Sequence, residues 1–259
     1  MKNKKKLVII TGAAGGVGRF LVETYNKKGF QVVGIDLNYG MLLKLKARFD
    51  DFFPKRCDLT EKEEFGKILK EIVTEIGTPD IWINNAGAVQ LEKYEQDSLE
   101  RFNKVMDVNF NSIVNNTPLI MKSMRNRGVI VNIASMAGIL PLGGMTSYVA
   151  SKHALVGFTR SLQQELRVNK SGVNLVLVLP GFINTPLIKS GEKGGFPKQF
   201  QWILSNPKKC AEEIFKGVEK GNNEIIPSSN GKLMDLFYKI GPKLMIKIGD
   251  NFTKHILKK

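Results

Sequence analysis

Hydrophobic positions along the chain fall into two alternating rhythms. Short runs rich in Val and Ile stand at Leu7–Ile10, Gln31–Ile35, Phe53–Cys57, Ile81–Asn84, Gly128–Ile133, Val173–Leu179 and Glu224–Ile226. Several, such as Leu7-Val-Ile-Ile and Leu175-Val-Leu-Val-Leu, have no polar alternation, which marks strands covered on both faces. Between the runs, roughly over 17–28, 39–47, 61–76, 99–125, 147–169 and 207–220, apolar residues recur at helical spacing. The pattern predicts seven strands with six intervening helices, an α/β fold built on a doubly wound parallel sheet with helices on both faces. No repeat, low-complexity tract or linker divides it, so residues 1–259 are expected to form a single domain. Gly191–Gly195 is the one loose, glycine-rich insertion.

Composition changes this picture little, and charge changes it more. With 42% apolar and 24% charged residues, the chain is of ordinary globular type, and collagen-like, disordered and disulfide-scaffold classes drop out. The two cysteines, Cys57 and Cys210, support neither a disulfide framework nor a metal cluster and fit the reducing cytoplasm. The basic N-terminus is followed by an apolar run of only four residues, too short for a secretion signal, and no stretch reaches the roughly 18 apolar residues of a membrane span. The formal charge of +15 raises nucleic acid or an anionic membrane as partners. Nucleic acid is disfavoured, because the lysines are spread along the chain and arginine, the better reader of phosphates and bases, is scarce.

The first chemical signal is the run Leu7-Val-Ile-Ile-Thr11-Gly12-Ala-Ala-Gly15-Gly16-Val17-Gly18: a strand, a glycine turn and a helix start. Glycine permits the tight turn and lets the backbone approach a pyrophosphate, while the helix N-terminus offers unpaired N–H groups and partial positive charge. Asp36 closes the second strand, 18 residues after Gly18, where a carboxylate accepts hydrogen bonds from an adenosine ribose and repels a 2′-phosphate. With Leu37 following it, this favours NAD over NADP, and Arg19 is the one nearby cation that weighs the other way.

The second signal follows the fifth run. Ser135 ends that strand, and Tyr148 and Lys152 stand four apart, one turn of helix on the same face. A free tyrosine has a pKa near 10, too high for a base at neutral pH. An adjacent ammonium and a nicotinamide cation would favour the phenolate. Tyr148 would then exchange the proton of an alcohol, Ser135 would hold its oxygen, and Lys152 would also bind the nicotinamide ribose.

Together the motifs Thr11-Gly12-x3-Gly16-x-Gly18, Asp58-Leu59-Thr60, Asn84-Asn85-Ala86-Gly87, Asn109, Ser135, Tyr148-x3-Lys152 and Pro180-Gly181 with Thr185-Pro186 mark a resemblance to the short-chain dehydrogenase/reductase family over roughly residues 6–227. The resemblance implies a Rossmann-type fold and no metal. Gly12, Gly15, Gly16, Val17 and Gly18 would cradle the cofactor, with Gly15 where phosphate-preferring members carry Arg or Lys. Asp58, beside Leu59, would bond the adenine amino group, its alternative being a helix cap that Thr60 fills more naturally. Asn85, Ala86 and Gly87 would support the sheet and line the cofactor, Asn85 having the alternative of a plain turn residue. Asn109 would order a water linking Lys152 to solvent. Pro180, Gly181, Ile183 and Thr185 would close over the nicotinamide, and His153 would be structural or at a subunit contact. The helices near 99–125 and 147–169 would form a homodimer or homotetramer interface. Met136, Leu142, Phe182 and Leu187, with Ser135 and Tyr148, would line the substrate pocket.

The apolar character of that pocket points to a secondary alcohol or ketone on a steroid-like or lipid-like molecule, with a polyol, a sugar or a 3-oxoacyl group as the alternative. A dinucleotide-binding regulatory protein is the non-enzymatic alternative. Residues 228–259 form a C-terminal extension resembling that of hydroxysteroid-type and lipid-handling members, in which helices flank the substrate entrance. Leu233, Leu236, Phe237 and Ile240 keep helical spacing, Gly241-Pro242 breaks it, and Leu244, Ile248 and Phe252 resume it. Residues 232–259 carry 7 lysines and 2 aspartates, an excess of +5, which suits peripheral membrane association through a helix lying in the surface. The alternative is a helix pair packed on its own domain or on another subunit, with its lysines solvated. Residues 2–6 add +4, so 9 of the 15 net charges lie at the two ends.

Overall fold

The computed structural model describes residues 5–185 and 203–257, which leaves Pro186, Leu187 and Gly191–Gly195 outside the described residues. The seven expected strands form one sheet: β1 (Leu7–Thr11), β2 (Gln31–Ile35), β3 (Phe52–Lys55), β4 (Ile81–Asn84), β5 (Arg127–Ile133), β6 (Gly172–Val178) and β7 (Glu224–Ile225). All pairs are parallel, in the order β3-β2-β1-β4-β5-β6-β7. β3 begins a residue before the apolar run and stops two short of Cys57. Pro54 has no N–H for a ladder on both sides, and the sheet edge is where such a strand is tolerated.

The unbroken apolar strands have the meaning expected of them. Along β1, Val8 and Ile10 face one layer and Leu7 and Ile9 the other. The first layer is α1 (Gly18–Lys27), α2 (Tyr39–Lys46) and α7 (Pro207–Glu219), packed through Leu21, Tyr25, Leu42, Ala211 and Ile214. The second holds α3 (Lys62–Glu75), α4 (Leu99–Met106), α5 (Ser112–Ser123) and α6 (Thr146–Val168), with Phe65, Leu69, Ile72 and Ile120 in its core. Helix 99–125 is not continuous. Five residues, Asp107–Asn111, widen into a π-turn between α4 and α5, a distortion that often marks a functional position.

Beyond β7 the two-part pattern of the extension becomes α8 (Ser229–Ile240) and α9 (Pro242–Leu257), broken at Gly241-Pro242. Met245 on α9 is buried with Met136, Leu140 and Leu155. The extension therefore packs on its own fold along this face. The opposite face leaves Leu233, Leu236, Phe237 and Ile240 exposed.

A chain of buried amides crosses the second layer. Trp82 Nε1 donates to Asn84 Oδ1 (2.8 Å), Asn84 Nδ2 to its cross-strand partner Asn132 Oδ1 (2.8 Å), and Asn132 Nδ2 to Thr159 Oγ1 on α6 (3.0 Å). Each polar group is paired, so the network ties α6 to the middle of the sheet without an uncompensated amide. Asn132→Leu should strand the Asn84 amide and the Thr159 hydroxyl and lower unfolding free energy by about 2–3 kcal/mol, measurable by urea denaturation.

Candidate active site

The strand order reverses between β1 and β4, and in an open parallel sheet such a point leaves a crevice at the carboxyl ends of the strands. There the backbone is stapled. Thr11 Oγ1 accepts from Asn85 N (3.0 Å) and Ala86 N (3.1 Å), and Asn85 Nδ2 donates to the carbonyls of Thr11 (2.9 Å) and Gly12 (3.1 Å). Gly12 has φ +62°, and a Cβ on it would lie 2.7 Å from Ala86 Cα. A Cβ on Gly18 would lie 2.0 Å from the Gly12 carbonyl oxygen. Side chains at either position are incompatible with this packing, and Asn85 is as much a sheet-end clamp as a lining residue.

The cleft above this staple has a volume of about 320 Å³. It is lined by Gly12, Gly15, Gly16, Val17, Asp36, Leu37, Asp58, Leu59, Asn85, Ala86, Gly87, Ser135, Tyr148, Lys152, Pro180, Gly181, Ile183 and Thr185, all expected from the sequence. Gly18 stands behind the wall, buried under Gly12. Val17 occupies the cap position of α1 with no side-chain cap; Arg19 N donates to Gly15 O (3.1 Å) and Phe20 N to Val17 O (3.0 Å), so the amides turned toward an anion are those of the glycine turn and Gly18 ahead of them. Asp36 is held at the rim, its Oδ2 accepting from Ala14 N (3.0 Å) and its Oδ1 from Asn38 N (2.9 Å). Each oxygen keeps a further lone pair for a ribose hydroxyl. A glycine floor that a Cβ would fill, an uncapped helix and a carboxylate at the far rim together suit an adenine dinucleotide.

Asp58 Oδ1 accepts from both the amide (3.0 Å) and the hydroxyl (2.7 Å) of Thr60. Neither residue caps α3: Glu61 stands at its cap position without a side-chain bond, which corrects the expectation for Thr60. The turn of Asp58 and Thr60 closes on itself instead. Cys57, also at the cleft, is buried, and desolvation pushes its thiol up to about 12.

Strand β5 and helix α6 bring Ser135, Tyr148 and Lys152 to one end of the cleft. Lys152 is 4% exposed, and its Nζ donates to the Ile133 carbonyl (3.0 Å) while lying 5.7 Å from the Tyr148 ring centre. Burial brings the ammonium down to about 8. For Tyr148, burial raises the phenol pKa and the Ser135 side chain works against that rise. In the protein alone burial outweighs any lowering, and the phenol stays above its ordinary value.

Asn109 lies in the π-turn and is fully buried. Its Nδ2 donates to Ala88 O (2.9 Å) and Ser151 Oγ (2.9 Å), and its Oδ1 accepts from Ala88 N (2.7 Å). Both amide hydrogens are thus committed to holding α6 against the Gly87–Ala88 turn, leaving one Oδ1 lone pair for a water. His153 is exposed, and its Nδ1 is 2.9 Å from Val149 O within α6.

Leu142 and Met145 form a buried cluster against Leu91, Tyr148 and Phe182, an apolar wall beside the phenol. Met136 is not part of it: at 1% exposure it packs toward Met245, behind the wall. The extension closes over the loop carrying Leu142, where Gly143 N donates to Thr253 Oγ1 on α9 (3.1 Å). The sequence reading missed the Ile133 carbonyl, Ser151 and Thr253, none of which carries a motif. Among the described residues no group of three or more His, Cys, Asp or Glu could hold a metal, and no helix is long and apolar enough to cross a membrane.

A family model described as short chain dehydrogenase matches residues 6–194. The 15-hydroxyprostaglandin dehydrogenase [NAD(+)] of Bos taurus is 34% identical over 199 residues, 73% of this chain and 72% of its own length. Among solved structures, a short chain dehydrogenase/reductase from Burkholderia phymatum in complex with NAD superposes with a TM-score of 0.80 at 22% identity, over 93% of this chain and 96% of that one. 4-hydroxyisoleucine dehydrogenase complexed with NADH gives 0.75 at 26% identity, over 86% and 98%.

The buried ammonium has a linkage consequence. Its folded pKa, about 8, lies below the ordinary 10.5, so the unfolded chain binds the extra proton between these values and stability rises with pH across that window. Lys152→Met should therefore melt at a higher temperature than the parent at pH 7, with the gap narrowing from pH 8 to 10.5; calorimetry on the cofactor-free proteins checks this.

Proposed function

The chain belongs to the short-chain dehydrogenase family, and from that premise we propose that it is an NAD-dependent oxidoreductase interconverting a secondary alcohol and a ketone on an apolar, lipid-like molecule. The observation that carries the reading is the convergence of Ser135, Tyr148 and Lys152 on a cleft whose adjoining wall is apolar. The identity to an NAD-linked dehydrogenase of a lipid alcohol supports the substrate class. The carboxylate of Asp36 at the ribose end, with no cation at Gly15, supports NAD over NADP.

The residues divide the work by position. Gly12, Gly16 and the head of α1 bind the pyrophosphate, and Asp36 the adenosine ribose. Ser135 donates to the substrate oxygen and orients it toward Tyr148. Tyr148 accepts the hydroxyl proton during oxidation and returns it during reduction. Lys152, fixed by the Ile133 carbonyl, binds the nicotinamide ribose, and Asn109 holds α6 so that these groups stay in register. NAD, when bound, supplies the hydride acceptor and a cationic ring that favours the phenolate. Leu142, Met145 and Phe182 exclude water from the reacting end.

The reading extends to surroundings. Both cysteines are free and buried, as suits the cytoplasm. The outer faces of α4 to α6, where Leu99 and Val168 are exposed, would join copies into a homodimer or homotetramer. The exposed Leu233, Leu236, Phe237 and Ile240, flanked by Lys232, Lys239 and Lys243, would rest on an anionic membrane surface.

Tyr148→Phe should lower turnover by about a thousandfold while NADH binding stays nearly intact, and turnover that survives in a panel of hydroxysteroids, fatty alcohols and polyols would refute the mechanism. The same panel with the parent enzyme ranks the substrate classes by NADH absorbance; a preference for polyols would overturn the lipid-like assignment. Leu236→Ser/Phe237→Ser should reduce co-sedimentation with phosphatidylserine vesicles several-fold, and unchanged partitioning would exclude the membrane reading.

A further inference from the structure

The segment that follows β6, Gly181–Thr185, brings Gly181, Ile183 and Thr185 to the same cleft as Tyr148 and Lys152. It is fixed from behind. Ile183 bridges to Ser205, Asn184 N donates to Ser205 O (3.0 Å), and Ser205 N donates to Phe182 O (2.9 Å). The two short stretches, far apart in sequence, thus make a pair too small to stand alone. What joins the pair to the fold is the start of α8. Ser228 Oγ accepts from Gly181 N (2.9 Å), and Asn230 Nδ2 donates to both Phe182 O (2.8 Å) and Ile203 O (2.6 Å). The contact is close: a Cβ on Gly181 would lie 2.3 Å from Asn230 Oδ1.

We propose that Asn230 is a positioning residue for the nicotinamide end of the cofactor site. Its two amide hydrogens are spent on two carbonyls from separate stretches of chain, and only a primary amide of this length offers that pair of donors. Leucine has the bulk without the donors, and aspartate would set a carboxylate against two carbonyl oxygens. Ile183 and Thr185, buried and at the cleft, take their places from this base. The adenosine end, built by Gly12 to Gly18, Asp36 and Asp58, shares none of these bonds. Asn230 therefore acts on one half of the dinucleotide only. The proposal rests on the NAD reading above.

The test is calorimetric titration of the full-length protein with NADH and, separately, with ADP-ribose, which lacks the nicotinamide. Asn230→Leu should weaken NADH roughly tenfold and leave ADP-ribose within about twofold, and Asn230→Ser should show the same split, less deeply. Loss of both ligands in parallel in the two variants would make Asn230 merely structural and overturn the proposal, as would unchanged NADH affinity. A parent protein that binds neither NADH nor ADP-ribose would instead overturn the cofactor reading, so the two failures are told apart.

Discussion

The hydroxyl of Thr11 takes two backbone amides from the turn after β4, and the site depends on that staple. It draws the carboxyl ends of two strands, separated by much of the first third of the chain, into backbone contact. With no Cβ on Gly12 or Gly18 where they meet each other and Ala86, α1 can begin directly over the gap. The candidate anion site is therefore made of main chain. Its chemistry does not depend on any charged side chain, and it is as rigid as the sheet from which it grows.

At the other end of the cleft, by contrast, the groups are charged or chargeable and are held by a relay of supports. Lys152 is kept in a dry position by one carbonyl, α6 is tied to the sheet by the Asn84–Asn132–Thr159 chain, and Asn109 braces it against the Gly87 turn. Burial alone drives Lys152 toward neutrality and Tyr148 toward protonation. The resting protein thus keeps Tyr148 protonated, and a cation brought beside the phenol would favour the phenolate.

Much of this was legible in the sequence because it is local. The strand pattern, the glycine turn and the four-residue spacing of Tyr148 and Lys152 depend on neighbours in the chain, and they lie where the pattern placed them. The shortfalls are tertiary. Met136 reads as pocket wall by its place between Ser135 and Tyr148, yet the extension packs on it and makes it core. Nothing along the chain reveals that a helix after the last strand supplies Asn230 to the segment after β6, since the contact joins residues 48 apart. The π-turn around Asn109 was hidden for a different reason: a widened helix keeps nearly the apolar rhythm of a regular one.

The place of β1 in the middle of the sheet also bears on how the chain is made. Val8 pairs on one side with Val32 and on the other with Ile81. During synthesis the first ladder can close once a single helix has emerged, whereas the second must wait for two more helices and a strand. Until then one edge of an uninterrupted apolar strand stays unpaired. The first third of the chain, up to β4, is thus a stretch in which a nascent molecule is open to capture by a chaperone or by a neighbour on the same message.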